Sequence, residues 1–472
     1  MTSRNAKIPL YLPVEIKARE FHGKLLFALI AAEAGYEVII GKQKEVRDRL
    51  PSMPPGIYVD KSTARSKEKW FARFRRLGNK LVAWDEEGLV IQEEQYIKSR
   101  FSVASFDQLE KFFAWGPTQA EVICREYPAA REKIINAGNP RFDMLRPEVR
   151  GFYAAGAEEL RKEYGRIILF NTNFGFYNHF RGKVKAKEIF MKSSTHKGEQ
   201  FIVDWIDFQE DLFKHFVEMI PWLSSSFPKH SIVVRPHPSE SIKGWENAVG
   251  GYENVKVVQR GSVLEWISAS DLMIHSNCTT GIEAFLLGVP SIAYRPVLSE
   301  KYETKLPNDV STNIYSFNEL QDVVEDIIIK GNGKKYTESV TLKQTASRYI
   351  SNIDGPLSCE TIIAHVKGIT PPQLSVVAQL VRGAQVIFDR INRLRHRYNH
   401  HRRGHRDHVK YDEQKFPHLH REELDTCIHT FKEVLRRFGD VRVRDLGGTC
   451  FKIYSENKVR SGDGPNRQES IS

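Results

Sequence analysis

The stretch IPLYLPV (residues 8–14) is followed by AREFHGKLLFALIAAEA (18–34) and then by YEVII (36–40). The first and last segments are short and apolar, as buried strands are. The middle segment has the apolar spacing of a helix, and Gly35 ends it. A strand, a helix and a strand in this order form a unit with parallel strands, so this stretch predicts an α/β fold.

The same alternation continues along the chain and then starts again. Residues 147–156 predict a connector between the two series, after a turn at Gly138-Asn139-Pro140. We therefore predict two Rossmann-like domains, at 1–150 and 160–365, and a mostly helical, basic extension at 371–472. The expected strands beyond the first two lie at 56–59, 80–83, 112–114, 166–170, 231–235, 255–258, 272–275 and 290–294, with helices at 200–224, 281–287, 317–331, 342–353 and 374–394.

The charge of the protein is concentrated in one segment. The 472 residues contain 70 Lys and Arg against 59 Asp and Glu, which gives a net charge of +11. Residues 371–472 contribute 20 basic and 13 acidic side chains, and residues 381–410 alone contribute 9 and 2. A local excess of this kind does not indicate a general nucleic-acid-binding protein, so we expect no nucleic-acid partner.

Cysteine content and hydropathy limit the class of protein further. The five Cys residues form no close Cys-x-x-Cys pair, which favours a reducing compartment and argues against a thiolate zinc site. The polar start Met1 to Lys7 predicts no signal peptide, and charged residues interrupt the most apolar stretch, Leu25 to Ile40. We therefore expect a cytoplasmic protein. A peripheral location on the inner face of the plasma membrane is compatible with this expectation.

The strand predicted at 231–235 ends in Arg235-Pro236-His237-Pro238. Ligands bind at the carboxyl ends of strands in open α/β sheets, and the two prolines restrict the backbone around His237. Because a guanidinium beside an imidazole donor suits a phosphate, we take Arg235, His237 and Pro238 as candidate binding residues. The competing interpretation is an exposed turn at the end of the strand.

A second candidate follows the strand predicted at 272–275, where Ser276-Asn277-Cys278-Thr279-Thr280-Gly281 leads into a helix. Free backbone N–H groups at a helix start, with hydroxyls beside them, form an anion site. Glu283 lies in the first turn, where it could accept hydrogen bonds from a ribose. The alternative is ordinary capping by Thr279 or Thr280, with Glu283 complementing the helix dipole.

A third candidate is the acidic segment Asp85-Glu86-Glu87-Gly88, which follows the strand predicted at 80–83. Crowded like charges can adapt a carboxylate to proton abstraction, whereas the alternative is a solvated acidic loop. Weaker candidates follow the first strand of each domain. They are Glu15, Lys17, Arg19 and Glu20 for an acceptor, and Asn171, Thr172 and Asn173 for a nucleotide or donor sugar.

The order of these motifs, an acidic pair, a His-Pro pair and a Ser/Thr cluster, resembles that of bacterial sialyltransferases. It also looks like transferases of capsule and lipopolysaccharide assembly that use CMP-activated keto sugars such as Kdo. The segment Gly138-Asn139-Pro140-Arg141-Phe142-Asp143 is similar to one found between the halves of such proteins and of teichoic-acid polymerases. Residues 8–365 more broadly resemble surface-carbohydrate biosynthesis proteins with the GT-B fold.

The resemblance implies roles for individual residues. Asp85 would be the general base, with Glu86 as a substitute, and His237 would contact the donor phosphate or assist the leaving group. Ser276, Thr279 and Thr280 would hold phosphate oxygens. The cluster departs from a simple Ser-Ser pair, and the acidic motif has an additional Glu before its Gly, so the active hydroxyl and the base within Asp85–Glu87 are left open.

The resemblance also implies an activity. We expect a metal-independent glycosyltransferase with no cofactor, which moves a CMP-activated keto-sugar acid to a surface polysaccharide or lipopolysaccharide precursor. The partners would be a nucleotide-sugar donor and a glycan or lipid-linked glycan acceptor, with a carboxylate of one domain acting across an interdomain cleft. The alternatives are a CDP-polyol phosphotransferase, a nucleotide-sugar 2-epimerase and a non-catalytic glycan-assembly protein. Inversion and retention of configuration both stay open.

The basic, His-rich stretch near 396–408 is a separate feature of the extension. Its His residues alternate with Arg, and cationic neighbours disfavour a divalent ion. Residues 374–410 would instead lie on an anionic membrane surface or contact an anionic glycan. The bland alternative is that the apolar stripe before this stretch packs on the body of the protein.

Overall fold

The computed structural model describes residues 7–89, 93–193, 199–373, 382–383 and 415–456, except for the side chains of 192 and 193. The chain divides into two units. The first contains residues 1–144 and 349–472, and the second contains residues 145–348. None of the described helices combines the length and the apolar character that a membrane crossing requires.

The described strands build two sheets. They are β1 (Pro9–Val14), β2 (Glu37–Lys42), β3 (Ile57–Asp60), β4 (Lys80–Trp84), β5 (Lys111–Ala114), β6 (Ile134–Asn136), β7 (Arg166–Asn171), β8 (His230–Arg235), β9 (Val255–Val257), β10 (Leu272–His275), β11 (Ser291–Tyr294), β12 (Thr312–Ile314), β13 (Val441–Asp445) and β14 (Phe451–Ser455).

The described α-helices alternate with these strands. They are α1 (Lys17–Glu33), α2 (Gln43–Arg49), α3 (Glu68–Arg76), α4 (Glu93–Arg100), α5 (Val103–Phe106), α6 (Pro117–Glu126), α7 (Pro140–Asp143), α8 (Ala154–Tyr164), α9 (Lys183–Ser193), α10 (Glu199–Glu218), α11 (Ile220–Ser226), α12 (Ile242–Val249), α13 (Val263–Ala269), α14 (Thr280–Leu287), α15 (Lys305–Asp309), α16 (Phe317–Ile328), α17 (Val340–Tyr349), α18 (Ser358–Val366) and α19 (Arg421–Leu435). Short 3-10 turns lie at Leu50–Ser52, Arg65–Lys67, Pro128–Glu132, Arg150–Tyr153 and Gly333–Tyr336.

The first unit has an eight-stranded sheet in the order β13-β14-β2-β1-β3-β4-β5-β6. Strands β1 to β6 are parallel, and the hairpin β13–β14 adds to β2 in the antiparallel sense. The order β2-β1-β3-β4-β5 is that of flavodoxin-like doubly wound sheets. The carboxyl ends of β1, β3 and β4 therefore meet at one edge of the sheet.

The second unit has a six-stranded parallel sheet in the order β12-β11-β10-β7-β8-β9. Numbered within the unit, this is the Rossmann order 3-2-1-4-5-6, whose order reverses between β7 and β10. Its core on one side of the sheet is rich in aromatic side chains, including Phe170, Phe174, Phe216 and Trp245. The predicted class is confirmed, since the described chain forms two Rossmann-like α/β units.

The segment Gly138 to Asp143 connects two parts of the first unit that are distant in sequence. Gly138 has a φ of 73°, and a Cβ on it would collide with the Ser351 carbonyl and the Ser358 hydroxyl. The side-chain oxygen of Asn139 accepts the Arg141 N–H at 2.9 Å and caps α7. The two carboxylate oxygens of buried Asp143 accept the N–H groups of Ser358 and Cys359, at 2.8 Å each. The motif therefore fastens the start of α18 to the first unit.

The boundaries differ from the sequence analysis in informative ways. The helix expected at 200–224 is two helices, because Pro221 lies at the start of α11 and lacks the N–H that would continue α10. The described part of 349–472 belongs to the first unit. The prediction instead extends the second domain to residue 365 and treats 371–472 as a separate extension. The helix expected at 374–394 lies outside the described residues, except for 382–383.

We predict that Asp143 makes folding stability depend on pH. Burial raises the pKa of Asp143 to about 6, although the amides of Cys359 and Ser358 oppose the shift. The native state therefore holds this proton more tightly than the unfolded chain, so the contribution of Asp143 to the free energy of unfolding falls as pH rises from about 4 to about 6. Asp143→Asn should remove this decline in urea denaturation curves recorded across that range.

The matched control is Asp322→Asn, which changes an exposed carboxylate on α16. It should retain the wild-type pH dependence. An unchanged pH dependence in Asp143→Asn would contradict the role assigned to this carboxyl.

Candidate functional site

Three polar residues lie in one row at the carboxyl edge of the second sheet. Asn171 of β7 is in register with Arg235 of β8 on one side and with His275 of β10 on the other. The reversal of strand order lies here, and ligands of doubly wound sheets bind at this point. The structure thus brings the His-Pro motif and the Ser/Thr cluster to one edge, as their positions after strands predicted.

Arg235 presents an incompletely paired cation at this edge. One terminal nitrogen of its guanidinium donates to the Gly261 carbonyl at 3.0 Å. Its Nε is buried and has no hydrogen-bond partner among the described residues. Burial lowers the pKa of Arg235, with the nearby Cys278 and Glu283 opposing the shift. A buried guanidinium donor without a partner is costly unless a ligand satisfies it.

Glu240 fixes the loop that carries His237 and Pro238. Its buried carboxylate accepts the His237 backbone N–H at 2.9 Å, the Thr172 hydroxyl at 2.9 Å and the Trp245 indole N–H at 2.8 Å. Burial raises the pKa of Glu240, and these hydrogen bonds oppose the shift. The loop after β8 is therefore tied to β7 and α12 through a single side chain.

The ring of His237 is exposed on this loop, next to the exposed Pro238. The Ser239 backbone N–H donates to its Nδ1 at 3.2 Å, and Nδ1 also lies 2.7 Å from the Ser239 hydroxyl. Desolvation by the surrounding protein and, to a smaller extent, the charge of Arg235 lower the pKa of His237. A neutral ring with Nδ1 as acceptor carries its proton on Nε2, so His237 offers one N–H donor to a ligand.

His275, whose side chain is fully buried, stabilises the loop after β10. Its Nε2 lies 2.9 Å from the Ser311 hydroxyl, and its Nδ1 accepts the Cys278 N–H at 3.5 Å. Burial lowers the pKa of His275 to about 3, so the ring is neutral near pH 7. Asn277 has a φ of 52°, and its side-chain oxygen accepts from the Asn308 amide at 2.8 Å.

The start of α14 faces the same edge. Thr279 occupies the N-cap position, but its side chain makes no capping hydrogen bond, which differs from the capping alternative. Burial raises the pKa of the Cys278 thiol, and the hydroxyl and backbone N–H of Thr280 oppose the shift. Gly281 lies so close to His275 that a Cβ would be 2.6 Å from Nε2. The helix therefore approaches β10 closely.

The remaining predicted residues of this unit lie around the row. Ser276 and Glu283 are buried, in the loop after β10 and in the first turn of α14. Asn171 and Thr172 are also buried, and Thr172 is bound to Glu240. Asn173 is half-buried, and its carbonyl accepts from the Gln209 side chain at 2.9 Å. These positions lie at the same carboxyl edge of the sheet as Arg235.

The acidic segment of the first unit follows β4, and each of its carboxylates has a cationic partner. Buried Asp85 forms a two-point ion pair with Arg100, through Nε at 3.1 Å and through Nη2, and it also accepts the Glu87 N–H at 3.0 Å. Buried Glu86 lies 3.0 Å from the Lys24 ammonium and accepts the Trp84 indole N–H at 2.7 Å. The crowding seen in the sequence is thus relieved by cations.

Lys24 joins this segment to the first helix. Its fully buried ammonium contacts Glu20 at 2.8 Å as well as Glu86, and it donates to the Pro13 carbonyl at 2.9 Å. Burial alone would lower the pKa of Lys24, but the charges of Glu20 and Glu86 outweigh it and raise the pKa. Glu20 also accepts the N–H groups of Glu15 and Ile16, so it supports the loop after β1.

The exposed carboxylate of the acidic segment belongs to Glu87, whose side chain is 48% exposed. Glu87 lies 2.9 Å from Arg100 and 3.5 Å from Arg19. Of the weaker candidates, Glu15 pairs with Lys61 and Lys415, and Lys17 pairs with Glu423 of α19. These ion pairs form separate groups near the carboxyl edge of the first sheet, and Arg19 is the candidate that joins the acidic segment, through Glu87.

The residues that support these sites are not among those predicted from the sequence. Glu240 follows His237 by three positions, and a carboxylate so placed after a strand end could have been considered as an anchor for the loop. His275 ends β10 within an apolar run, which indicates burial. Nothing in the local sequence signals the partners Arg100 and Lys24, because they come from other elements.

Among the described residues there is no group of three or more His, Cys, Asp or Glu side chains placed to hold a metal ion. The His-rich stretch near 396–408 lies outside those residues.

No protein-family model matches this chain, and no curated protein sequence matches it. Three solved structures illustrate what its fold is similar to. A putative UDP-N-acetylglucosamine 2-epimerase from Listeria monocytogenes is 13% identical, with 78% of this chain and 99% of that chain covered and a TM-score of 0.46. A UDP-GlcNAc 2-epimerase from Neisseria meningitidis bound to UDP-GlcNAc is 12% identical, with 77% and 99% covered and a TM-score of 0.45. The wall teichoic acid polymerase TagF is 11% identical, with 78% and 90% covered and a TM-score of 0.45.

We predict that Glu240→Ala destabilises the protein by about 2–4 kcal/mol, since it leaves buried donors of Thr172, Trp245 and His237 without their acceptor. Urea denaturation followed by tryptophan fluorescence measures the change. Glu246→Ala, at an exposed position of α12, is the matched control and should change the free energy of unfolding by less than about 0.5 kcal/mol. Equal stability of the two variants would refute the anchoring role of Glu240.

Proposed function

We propose that this protein is a metal-independent glycosyltransferase of surface-glycan assembly, which uses a nucleotide-activated sugar as donor. The observation that carries the proposal is the buried Nε of Arg235, which has no hydrogen-bond partner among the described residues and lies one strand from the reversal point of the second sheet. A nucleotide phosphate supplies the acceptor oxygens that this guanidinium lacks.

Two further donors support a phosphate at this place. His237 offers its Nε2–H from a loop that Glu240 holds in position. The start of α14 contributes the positive end of its dipole, together with the Thr280 hydroxyl. We assign Ser276, Thr279 and Gly281 to the same phosphate region, and Asn171, Asn173, Pro238 and Glu283 to the surrounding nucleotide and sugar.

These groups suit the chemistry of glycosyl transfer. When the bond from the anomeric carbon to the phosphate oxygen breaks, positive charge develops on the sugar and negative charge on the departing nucleotide. Arg235, His237 and the helix start stabilise that negative charge in fixed positions, which is where electrostatic catalysis gains most. The preference for a CMP-activated keto-sugar acid, of the Kdo or sialic-acid kind, rests on the motif resemblance.

We place the general base in the acidic segment Asp85–Glu87 of the first unit. A carboxylate there would accept the proton of the acceptor hydroxyl as that oxygen attacks the sugar. Asp85 is the base that the resemblance names, and Glu86 is its substitute. Both oxygens of Asp85 already bind Arg100, whereas Glu87 is the partly exposed carboxylate, so all three belong in the test.

We predict that Arg235→Ala weakens CMP binding by about tenfold or more, because it removes charge-assisted hydrogen bonds to phosphate. His237→Ala should weaken binding in the same direction, with a smaller effect. Isothermal titration with CMP, CDP and UDP in parallel measures these changes and ranks the bases.

The matched control is Arg166→Ala, since Arg166 lies at the opposite, amino end of β7 and pairs with Asp271 at 3.0 Å. It should bind CMP as the wild type does. If the wild-type protein binds no nucleotide, the transferase proposal and its CDP-polyol alternative are both wrong.

We predict that Asp85→Asn or Glu87→Gln lowers turnover by about a hundredfold or more while CMP affinity stays unchanged, because the carboxylate that accepts the proton is lost. Asp85→Asn also weakens the ion pair with Arg100, so melting curves establish that this variant is folded. Glu86→Gln should act mainly through stability, since it disturbs a buried ion pair with Lys24. Product formation from a panel of CMP-, CDP- and UDP-sugars measures turnover.

Glu94→Gln, at an exposed position of α4, is the control for charge loss. Wild-type turnover in both Asp85→Asn and Glu87→Gln would remove this segment from the catalytic machinery.

A further inference from the structure

A cavity of about 350 Å³ lies in the first unit. It opens at the carboxyl ends of β1 and β2, where Val14 and Lys42 end these strands. Helix α2, Trp70 of α3 and Lys415 close its sides. Its volume is within the range of small-ligand sites.

The wall of this cavity is predominantly cationic. Four basic residues, Lys42, Lys44, Arg47 and Lys415, line it together with two acidic residues, Glu15 and Asp48. Glu15 is already bound by Lys61 and by Lys415, the latter at 3.0 Å. The side chains of Lys42 and Lys44 form no ion pair within the part of the chain that the structure describes. The cavity thus offers ammonium groups to an anion.

One wall of the cavity is an aromatic ring. The Trp70 side chain is 37% exposed, and the Arg47 guanidinium lies 5.4 Å from its centre. Arg47 is itself fixed, since its Nε donates to the Tyr58 hydroxyl at 3.2 Å and it lies 3.8 Å from Asp60. The Arg73 guanidinium also lies 5.6 Å from the ring centre. The part of the indole that the two guanidinium groups leave exposed gives an apolar surface for the C–H groups of a sugar ring.

The C-terminal extension holds this cavity together. The backbone N–H and the hydroxyl of Thr449, in the β13–β14 turn, bind Glu45 of α2 at 2.9 Å and 3.0 Å. Arg49 of the same helix donates to the Gly447 carbonyl at 2.6 Å. Because α2 carries Lys44 and Arg47, the hairpin positions two of the cationic residues, and Lys415 comes directly from the extension.

We propose that this cavity binds a sugar bearing a phosphate or carboxylate group, and that the C-terminal extension completes the site. The cations would bind the anionic group, and Trp70 would cover the sugar ring. Recognition of an anionic sugar requires both features. As the acceptor site of a transferase, this inference rests on the proposed function, but binding of the anionic sugar can be measured without turnover.

Saturation-transfer NMR and isothermal titration of the full-length protein test the proposal, with glucose 6-phosphate, glucuronic acid, glucose and inorganic phosphate as probes. We expect one or both anionic sugars to bind, more tightly than glucose or phosphate, with an affinity that falls as salt increases. The two anionic probes distinguish a phosphate from a carboxylate as the recognised group.

The variants assign the binding to the cavity. Three variants should each weaken anionic-sugar binding by about tenfold: the double variant Lys42→Ala/Lys44→Ala, the single variant Lys415→Ala and the single variant Trp70→Ala. Lys162→Ala, at an exposed position of α8 in the second unit, is the matched control and should bind normally. Circular dichroism spectra and melting curves establish that each variant is folded.

The outcomes separate this inference from the proposed function. Anionic-sugar binding that persists in Arg235→Ala, while CMP binding is weakened as predicted, supports both. If neither anionic sugar binds, if glucose binds equally well, or if the cavity variants bind like Lys162→Ala, the inference is overturned even where CMP binding depends on Arg235.

Discussion

The carboxyl edge of a parallel sheet is the constraint on which both units depend. Every loop with candidate chemistry leaves a strand at that edge, where the sheet no longer supplies hydrogen-bond partners to the backbone. Buried carboxylates take over this role: Glu240 binds the loop after β8, and Glu20 binds the loop after β1. The positions of His237 and of the residues after β1 follow from these contacts.

In the second unit, buried side chains hold in place the loops that carry the candidate binding residues. His275 is fully buried and neutral, and it holds the loop that precedes α14 through Ser311 and the Cys278 N–H. Glu240 does the same for the loop of His237. Since these supports are already in place, Arg235 and His237 would need little reorganisation to bind the phosphate that we propose.

The C-terminal extension gains a structural meaning from its contacts. Its excess charge suggested a membrane surface or a glycan, and the residues at 384–410 that carry most of this charge lie outside the described part of the chain. The described part instead adds a hairpin to β2 and clamps α2. The alternation of Val441 and Val443 with Arg, followed by Gly447-Gly448, is a hairpin signal in the sequence, but the choice of β2 as partner has no local signature.

The sequence by itself determined the two Rossmann-like units, the positions of most strands and the edge at which the motifs meet. These follow from periodicity and from strand ends, which are properties of residues near each other in the chain. The tertiary structure alone decided the partners of the charged groups: Arg100 for Asp85, Lys24 for Glu86 and Thr449 for Glu45. Such pairs join residues that only folding brings within hydrogen-bond distance. Which side chains become neighbours depends on how the helices and strands pack.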